Sequence, residues 1–149
     1  MSELMWSSKL ETGVPEIDDQ HKKLIEIANN VIAAVREKLG TLGVDEFVQE
    51  LREYTIVHFR EEEERMEKLR YPEHGAHHTE HERLKHQVKL WQRELYHQER
   101  VTVDEVREFL RGWLIDHILQ SDMAFKDWLL ENATCTLSDK GTKCSKSKG

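Results

Sequence analysis

The chain has 149 residues, 38% of them hydrophobic and 34% charged, which suits a single domain with a core and solvated outer faces. Two prolines and seven glycines are too few for a turn-rich β architecture. The formal net charge is −7, and because the last 17 residues carry +3, residues 1–132 carry −10, which argues against binding to nucleic acid.

The first half of the chain predicts an arm followed by two helices. Residues 1–17 form the arm, in which glycine and proline interrupt scattered apolar residues. A first helix is expected to begin at residues 18–19, since acidic residues favour a helix N-terminus, and to end near Gly40. After Gly43, residues at spacings of three and four predict a second helix that ends near Leu69. Residues at this spacing share one face of a helix, and the inward-facing stripe that they form is called the seam.

The second half predicts two more helices and a tail. The third helix ends near His97, and Thr102 with Glu105 forms a capping box that starts the fourth. Residues 133–149, rich in lysine, serine and threonine, are expected to be a disordered basic tail outside a domain at 1–132. Four amphipathic helices with short connections predict an all-α, up-down-up-down four-helix bundle.

The two cysteines and the apolar runs indicate the cellular compartment of the protein. Cys135 and Cys144 lie in the tail at a spacing that suits neither a zinc site nor a disulfide framework. The first residues lack the apolar segment of a signal peptide, and no apolar run reaches transmembrane length. We therefore expect a monomeric, cytoplasmic protein with reduced thiols and without membrane insertion.

Histidines interrupt the hydrophobic seam of the third helix. His77 and His81 continue the stripe formed by Leu84, Val88 and Trp91. A buried imidazole without a partner costs about 1–3 kcal/mol, so these rings need something to bind. A metal ion is the simplest partner, because histidines at i and i+4 present both rings to one point.

The other helices carry polar seam residues at the same level. In an up-down-up-down bundle, the starts of helices one and three lie beside the ends of helices two and four. The polar seam residues of all four helices therefore fall at one end of the core. They are His21, His58, Glu62, His77, His81, His117 and Asp122.

Five imidazoles and two carboxylates are too many ligands for one ion. Two ions bridged by both carboxylates and one solvent oxygen would use all of them. One ion would take His77, His81 and His117, and the other, held by His21 and His58, would keep one position open. Imidazole and carboxylate ligands suit iron, and an open position on ferrous iron is where O2 binds.

Asp122 is the least certain of these ligands on spacing alone. It follows His117 by five residues, which places the two about 140° apart on an ideal helix. Its support comes from the need for a second bridging carboxylate. His58 and Glu62 could instead form a hydrogen-bonded surface pair. The remaining histidines are interpreted as solvated surface residues: His74, His78, His86 and His97.

The chain resembles prokaryotic members of the hemerythrin family over residues 6–130. The matching segments are Trp6, Gly13-Val14, Ile17-Asp18-Asp19-Gln20-His21, His58-Phe59-Arg60-Glu61-Glu62-Glu63, Met66, Tyr71-Pro72, His77-His78-Thr79-Glu80-His81, Trp113-Leu114-Ile115-Asp116-His117-Ile118 and Asp122. The resemblance implies a four-helix bundle with two non-haem iron ions and a bridging oxo or hydroxo group that binds O2 reversibly. It implies the same seven ligands, with O2 at the iron held by His21 and His58. Phe125 is a departure, since some relatives have tyrosine there.

The ligand set favours an oxygen carrier over an enzyme. Anionic ligands stabilise high iron oxidation states, and this set is mostly neutral imidazole. An apolar wall is expected around the open position, where it would exclude protons. Its members are Ile25, Trp113, Leu114 and Ile118. We therefore expect O2 binding without enzymatic activity.

Other functions fit part of the same pattern. The same site could serve an oxygen or redox sensor, an iron-storage protein, or a di-iron oxidase or peroxidase. Residues 77–81 also match the inverted zinc-protease signature H-x-x-E-H. That interpretation leaves His21, His58, His117 and Asp122 without a role.

Overall fold

The computed structural model describes residues 4–98 and 100–139, with side chains up to residue 132. Within these residues the regular structure is helical, without strands, which confirms the predicted all-α bundle. The first three helices are α1 (Pro15–Arg36), α2 (Gly40–Lys68) and α3 (His74–His97). None of the described helices is both long and apolar enough to cross a membrane.

The fourth helix of the bundle, hereafter the fourth rod, consists of several consecutive helical segments. It contains α4 (Val103–Leu110), a first π segment (Arg111–Ile115), a second π segment (Ile118–Asp122) and α5 (Met123–Asp139). Thr102 and Glu105 form the predicted capping box at its start. The backbone of residues 133–139 is helical where a disordered tail was predicted, because an established helix gains a backbone bond with each added residue.

Residues 140–149, including Cys144, lie outside the described residues, as does the side chain of Cys135. The domain boundary after residue 132 stays a prediction.

The N-terminal arm is fixed to the first helix. Leu4 and Leu10 are buried in the main core, and Leu10 is the last residue of a short 3-10 turn at Ser8–Leu10. The backbone N–H of Leu4 donates to Asn29 Oδ1 at 2.8 Å, and Asn29 Nδ2 donates back to the Leu4 carbonyl at 3.0 Å. The arm therefore closes one side of the bundle over α1.

Both early helices begin before their predicted positions. α1 begins at Pro15, because proline is favoured in the first turn, and the Asp18 carboxylate accepts from the backbone N–H and the hydroxyl of Thr12. α2 begins at Gly40 rather than after Gly43. The chain turns between the two helices within a few residues, since Gly40 has a φ of 83° that glycine adopts without strain.

The apolar interior has two parts, which lie at different levels of the bundle. The larger cluster fills the interior from the arm to the middle of the helices and includes Leu24, Leu84 and Leu110. A smaller cluster of four buried residues lies further towards the end of the bundle: Ile17, Met66, Tyr71 and Phe125. The predicted polar seam residues, hereafter the polar layer, lie where these two clusters meet along the chain, so apolar residues flank them on both sides.

Candidate metal centre

The structure brings all seven predicted polar seam residues together inside the bundle. α1 supplies one of them, α2 and α3 supply two each, and the π-helical region of the fourth rod supplies the last two. All are at most 5% exposed: His21, His58, Glu62, His77, His81, His117 and Asp122. Residues that are three or four apart on a helix share a face, which explains the pairs contributed by α2 and α3.

The potential ligand atoms form two groups that share one carboxylate. In each group, one nitrogen or oxygen atom from every member lies within 4.8 Å of the others. The first group contains Glu62, His77, His81, His117 and Asp122. The second contains His21, His58 and Glu62.

Glu62 directs its two oxygen atoms to different groups of histidines. Its Oε1 lies 3.2 Å from His77 Nε2 and 3.1 Å from His81 Nε2. Its Oε2 lies 3.8 Å from His21 Nε2. The carboxylate of Glu62 therefore stands between the two groups.

The carboxylate of Asp122 is arranged in the same way as that of Glu62. Its Oδ1 lies 3.0 Å from His77 Nε2 and 3.3 Å from His117 Nε2. Its Oδ2 lies 3.0 Å from His21 Nε2. A carboxylate that bridges two metal ions must offer one oxygen to each, and both carboxylates have this orientation.

The π segments bring Asp122 to this position. In a π-helix the backbone hydrogen bonds join residues i and i+5, so residues five apart fall one turn above each other. The second π segment runs from Ile118 to Asp122, directly after His117. A regular α-helix would have turned one of these two side chains away from the site.

Burial and charge act against each other in this layer. Burial alone would lower the pKa of His77, but the carboxylates of Asp122 and Glu62 outweigh it and raise the pKa to about 10. Burial lowers the pKa of His58 to about 4. Burial would raise the pKa values of Glu62 and Asp122, yet the surrounding imidazoles hold both below their usual range. Two buried carboxylates thus stay ionised and need positive charge around them.

The hydrogen bonding of the layer is incomplete, which tests whether a metal would fit. Eight buried side-chain atoms find no hydrogen-bond partner among the described residues, and all eight belong to five members of the site: His21, Glu62, His81, His117 and Asp122. Leaving such an atom unsatisfied costs about 1–3 kcal/mol. Eight such atoms in one site would therefore destabilise the fold if no ion were bound to them. Imidazole nitrogens and carboxylate oxygens suit divalent transition metals, so the residues fit a pair of such ions.

Two outer side chains orient the histidines and were not predicted. The Nδ1 atom of His58 lies 2.5 Å from Gln20 Oε1, and the Nδ1 atom of His81 lies 2.6 Å from Glu63 Oε2. The other oxygen of Glu63 contacts His78 Nδ1 at 2.7 Å. Such contacts fix the tautomer and the ring orientation of metal-binding histidines. Both residues adjoin a predicted ligand and lie in segments that match the hemerythrin family, but the sequence alone assigned neither of them a role.

The remaining histidines are less uniform than predicted. His86 and His97 are exposed, in agreement with the sequence interpretation. His74 is half-buried, so its predicted solvation was only partly correct. His78 is exposed but bonded to Glu63, which connects it to the site.

An apolar surface borders the polar layer. The ring of Phe59 stacks on His81 with a centroid distance of 3.7 Å and an interplanar angle of 1°. Phe59 belongs to the larger apolar cluster, and so do the predicted wall residues, each at most 5% exposed: Ile25, Trp113, Leu114 and Ile118. The Trp113 indole N–H donates to the Leu84 carbonyl at 2.9 Å.

A helical bundle with buried histidines and carboxylates in two groups is typical of proteins that bind metal ions without haem. A family model described as the hemerythrin HHE cation binding domain matches residues 12–129. The chain is 35% identical over 127 residues to a bacteriohemerythrin from Stenotrophomonas maltophilia, covering 85% of this chain and 82% of that protein. It is 32% identical over 140 residues to a bacteriohemerythrin from Pseudomonas aeruginosa, covering 94% and 90%.

A solved structure agrees with these relationships. The crystal structure of wild-type hemerythrin superposes with a TM-score of 0.73 at 28% identity, covering 83% of this chain and 95% of that one. The chain therefore belongs to the hemerythrin family. A hemerythrin domain implies binding of non-haem iron, and the cluster of histidine, glutamate and aspartate fits a metal site.

Proposed function

We propose that this protein binds O2 reversibly at a pair of iron ions and acts in oxygen transport, storage or delivery. His77, His81 and His117 would hold one ion, and His21 and His58 would hold the other. The carboxylates of Glu62 and Asp122 would be shared between the two ions. The observation that supports this assignment is the orientation of the two carboxylates, each with one oxygen near His21 and the other near the first group.

The unequal division of the histidines leaves room for O2. When bound, two ferrous ions would supply the electrons that O2 binding requires. His21 and His58 provide one imidazole fewer than the first group does, so an ion held by them would have room for O2. Gln20 Oε1 lies 2.5 Å from His58 Nδ1, a contact that would fix the orientation of this ring as a ligand.

The apolar wall supports binding without further reaction. Ile25, Leu114 and Ile118 are aliphatic and have no proton to give. The indole N–H of Trp113 is already donated to the Leu84 carbonyl. Conversion of bound O2 to a released product needs protons, so a wall without a free donor favours release of O2 unchanged.

The proposal is tested by cycling O2 on the iron-loaded protein. Reduced protein should gain a visible absorption band on exposure to O2 and lose it under argon, over repeated cycles and without net consumption of O2. Zinc-loaded protein is the colourless control. Net consumption of O2, with hydrogen peroxide or an oxidised product appearing in each cycle, would favour an oxidase or peroxidase.

Metal analysis separates the carrier from a storage protein. Two ions per chain are expected, because five imidazoles and two carboxylates are too many ligands for one ion and too few for more than two. Iron that accumulates well beyond two per chain would favour storage. One ion per chain would contradict the di-iron assignment.

A further inference from the structure

A second concave site lies at the end of the bundle opposite the metal centre. It is a cavity of about 490 Å³ between the α1–α2 turn and the connection from α3 to α4. Its described lining residues come from the end of α1, the start of α2, the end of α3 and the connection to α4. Small-molecule sites commonly have volumes of roughly 300–1,000 Å³, so the cavity can hold a small ligand.

The floor of this cavity is aliphatic. Ala34 and Leu95 are buried, and Val35, Val44 and Val101 are half-buried and pack against the main core. None of the described lining residues is aromatic. The floor therefore suits a flexible hydrocarbon chain and offers no ring on which a planar base could stack.

Among the lining residues that the structure describes, the two charged ones are both positive. Lys38 and Arg100 are exposed, and neither forms an ion pair with a residue that the structure describes. Two cations at one cavity are unusual in a chain whose formal net charge is −7. An arginine guanidinium binds a carboxylate through two parallel hydrogen bonds, which makes a carboxylate a suitable partner.

The start of α2 adds to the positive character of the cavity. Gly40 and Thr41 line the cavity and open α2, whose first turn has no capping side chain and no acidic residue. The partial positive charge of this helix end is therefore not balanced by its own sequence.

We propose that this cavity binds an aliphatic carboxylate of medium chain length. The carboxylate lies between Lys38 and Arg100, and the hydrocarbon chain covers Val44, Leu95 and Val101. The chain contributes burial of apolar surface, and the two cations select the charged end group.

The ligand dependence is tested by calorimetry with octanoate on the full-length, iron-loaded protein. Octanoate should bind one-to-one and saturably. Octanol has the chain without the charge, and acetate has the charge without the chain, so each should bind at least tenfold more weakly. Octanol binding as tightly as octanoate, or no saturable binding of octanoate, would overturn the proposal.

Variants test the place of binding. Combined Lys38→Gln and Arg100→Gln should weaken octanoate binding at least tenfold, and Val101→Trp should abolish it by filling the cavity. Combined Lys89→Gln and Arg93→Gln removes the same charge from exposed positions of α3 and should leave binding unchanged. If circular dichroism shows that the Val101 variant does not fold, the combined Lys38 and Arg100 variant still tests where octanoate binds. Unchanged affinity in the Lys38 and Arg100 variant would show that the site is elsewhere.

The iron spectrum separates this site from the metal centre, because carboxylates also bind iron. The visible absorption of the iron-loaded protein should stay constant while octanoate saturates its heat signal. A spectral change that follows the same binding curve would place octanoate at the irons and would contradict the proposal.

Discussion

His117 and Asp122 are five residues apart in sequence, yet His117 Nε2 lies 3.3 Å from Asp122 Oδ1. On a regular α-helix these residues would be about 140° apart. The π segment that begins at Ile118 removes this mismatch, because its hydrogen bonds join residues five apart. The local helix type therefore decides whether a second carboxylate reaches the site.

Removal of the shared carboxylate should affect both ions. Glu62 is the residue common to the two groups of potential ligands, so Glu62→Ala removes a donor from each. We expect metal analysis after gel filtration to find fewer than one iron per chain, against two in the unaltered protein. His86→Ala, an exposed position on α3, should keep two. Equal iron content in the two variants would contradict the assignment of Glu62.

The outer carboxylate Glu63 should matter for affinity rather than for stoichiometry. It contacts His81 Nδ1 at 2.6 Å, and loss of such a partner typically lowers metal affinity about 10–100-fold. Glu63→Ala should therefore release iron to a chelator faster than the unaltered protein does. Glu64→Ala removes the same charge from the next, exposed position and is the matched control. If both variants release iron at the same rate, Glu63 does not hold His81.

Metal binding should release protons from the iron-free protein. The pKa of His77 is raised to about 10, so its imidazole is protonated at pH 7, while a metal ligand must be neutral. The pKa of His58 is lowered to about 4, so that ring contributes no proton at pH 7. Affinity for the metal should accordingly rise with pH up to about pH 10, because below that pH the His77 imidazole must lose its proton to bind.

Calorimetry in buffers of different ionisation enthalpy measures the released protons. Zn²⁺ is a suitable ion because it does not change oxidation state. His77→Ala should release fewer protons per bound ion than the unaltered protein. Zinc binding without proton release would contradict the raised pKa of His77.

Much of the bundle and its site follows from local patterns in the sequence. His77 and His81 are four apart on a strongly periodic helix, so their shared face is fixed by helix geometry. The position of Asp122 is not, since the π segment depends on packing against the other helices. The role of Glu63 is equally hidden, because Glu61 and Glu64 beside it are the same residue type and are exposed. Only the relative rotation of α2 and α3 distinguishes them.

The pocket wall gives the last prediction. Leu114 and Ile118 are 3% and 0% exposed, so replacing either with alanine creates a cavity and costs about 2–5 kcal/mol of folding stability. If they guard the irons, water will also enter, and the oxygenated protein will oxidise to the ferric state faster than the unaltered protein. Leu110→Ala is the matched control, since Leu110 is equally buried but lies one turn further from His117 than Leu114 does. Autoxidation followed by visible absorption should therefore accelerate in the Leu114 and Ile118 variants and not in the Leu110 variant. Equal rates in all three folded, iron-loaded variants would show that the O2 pocket lies on another side of the irons.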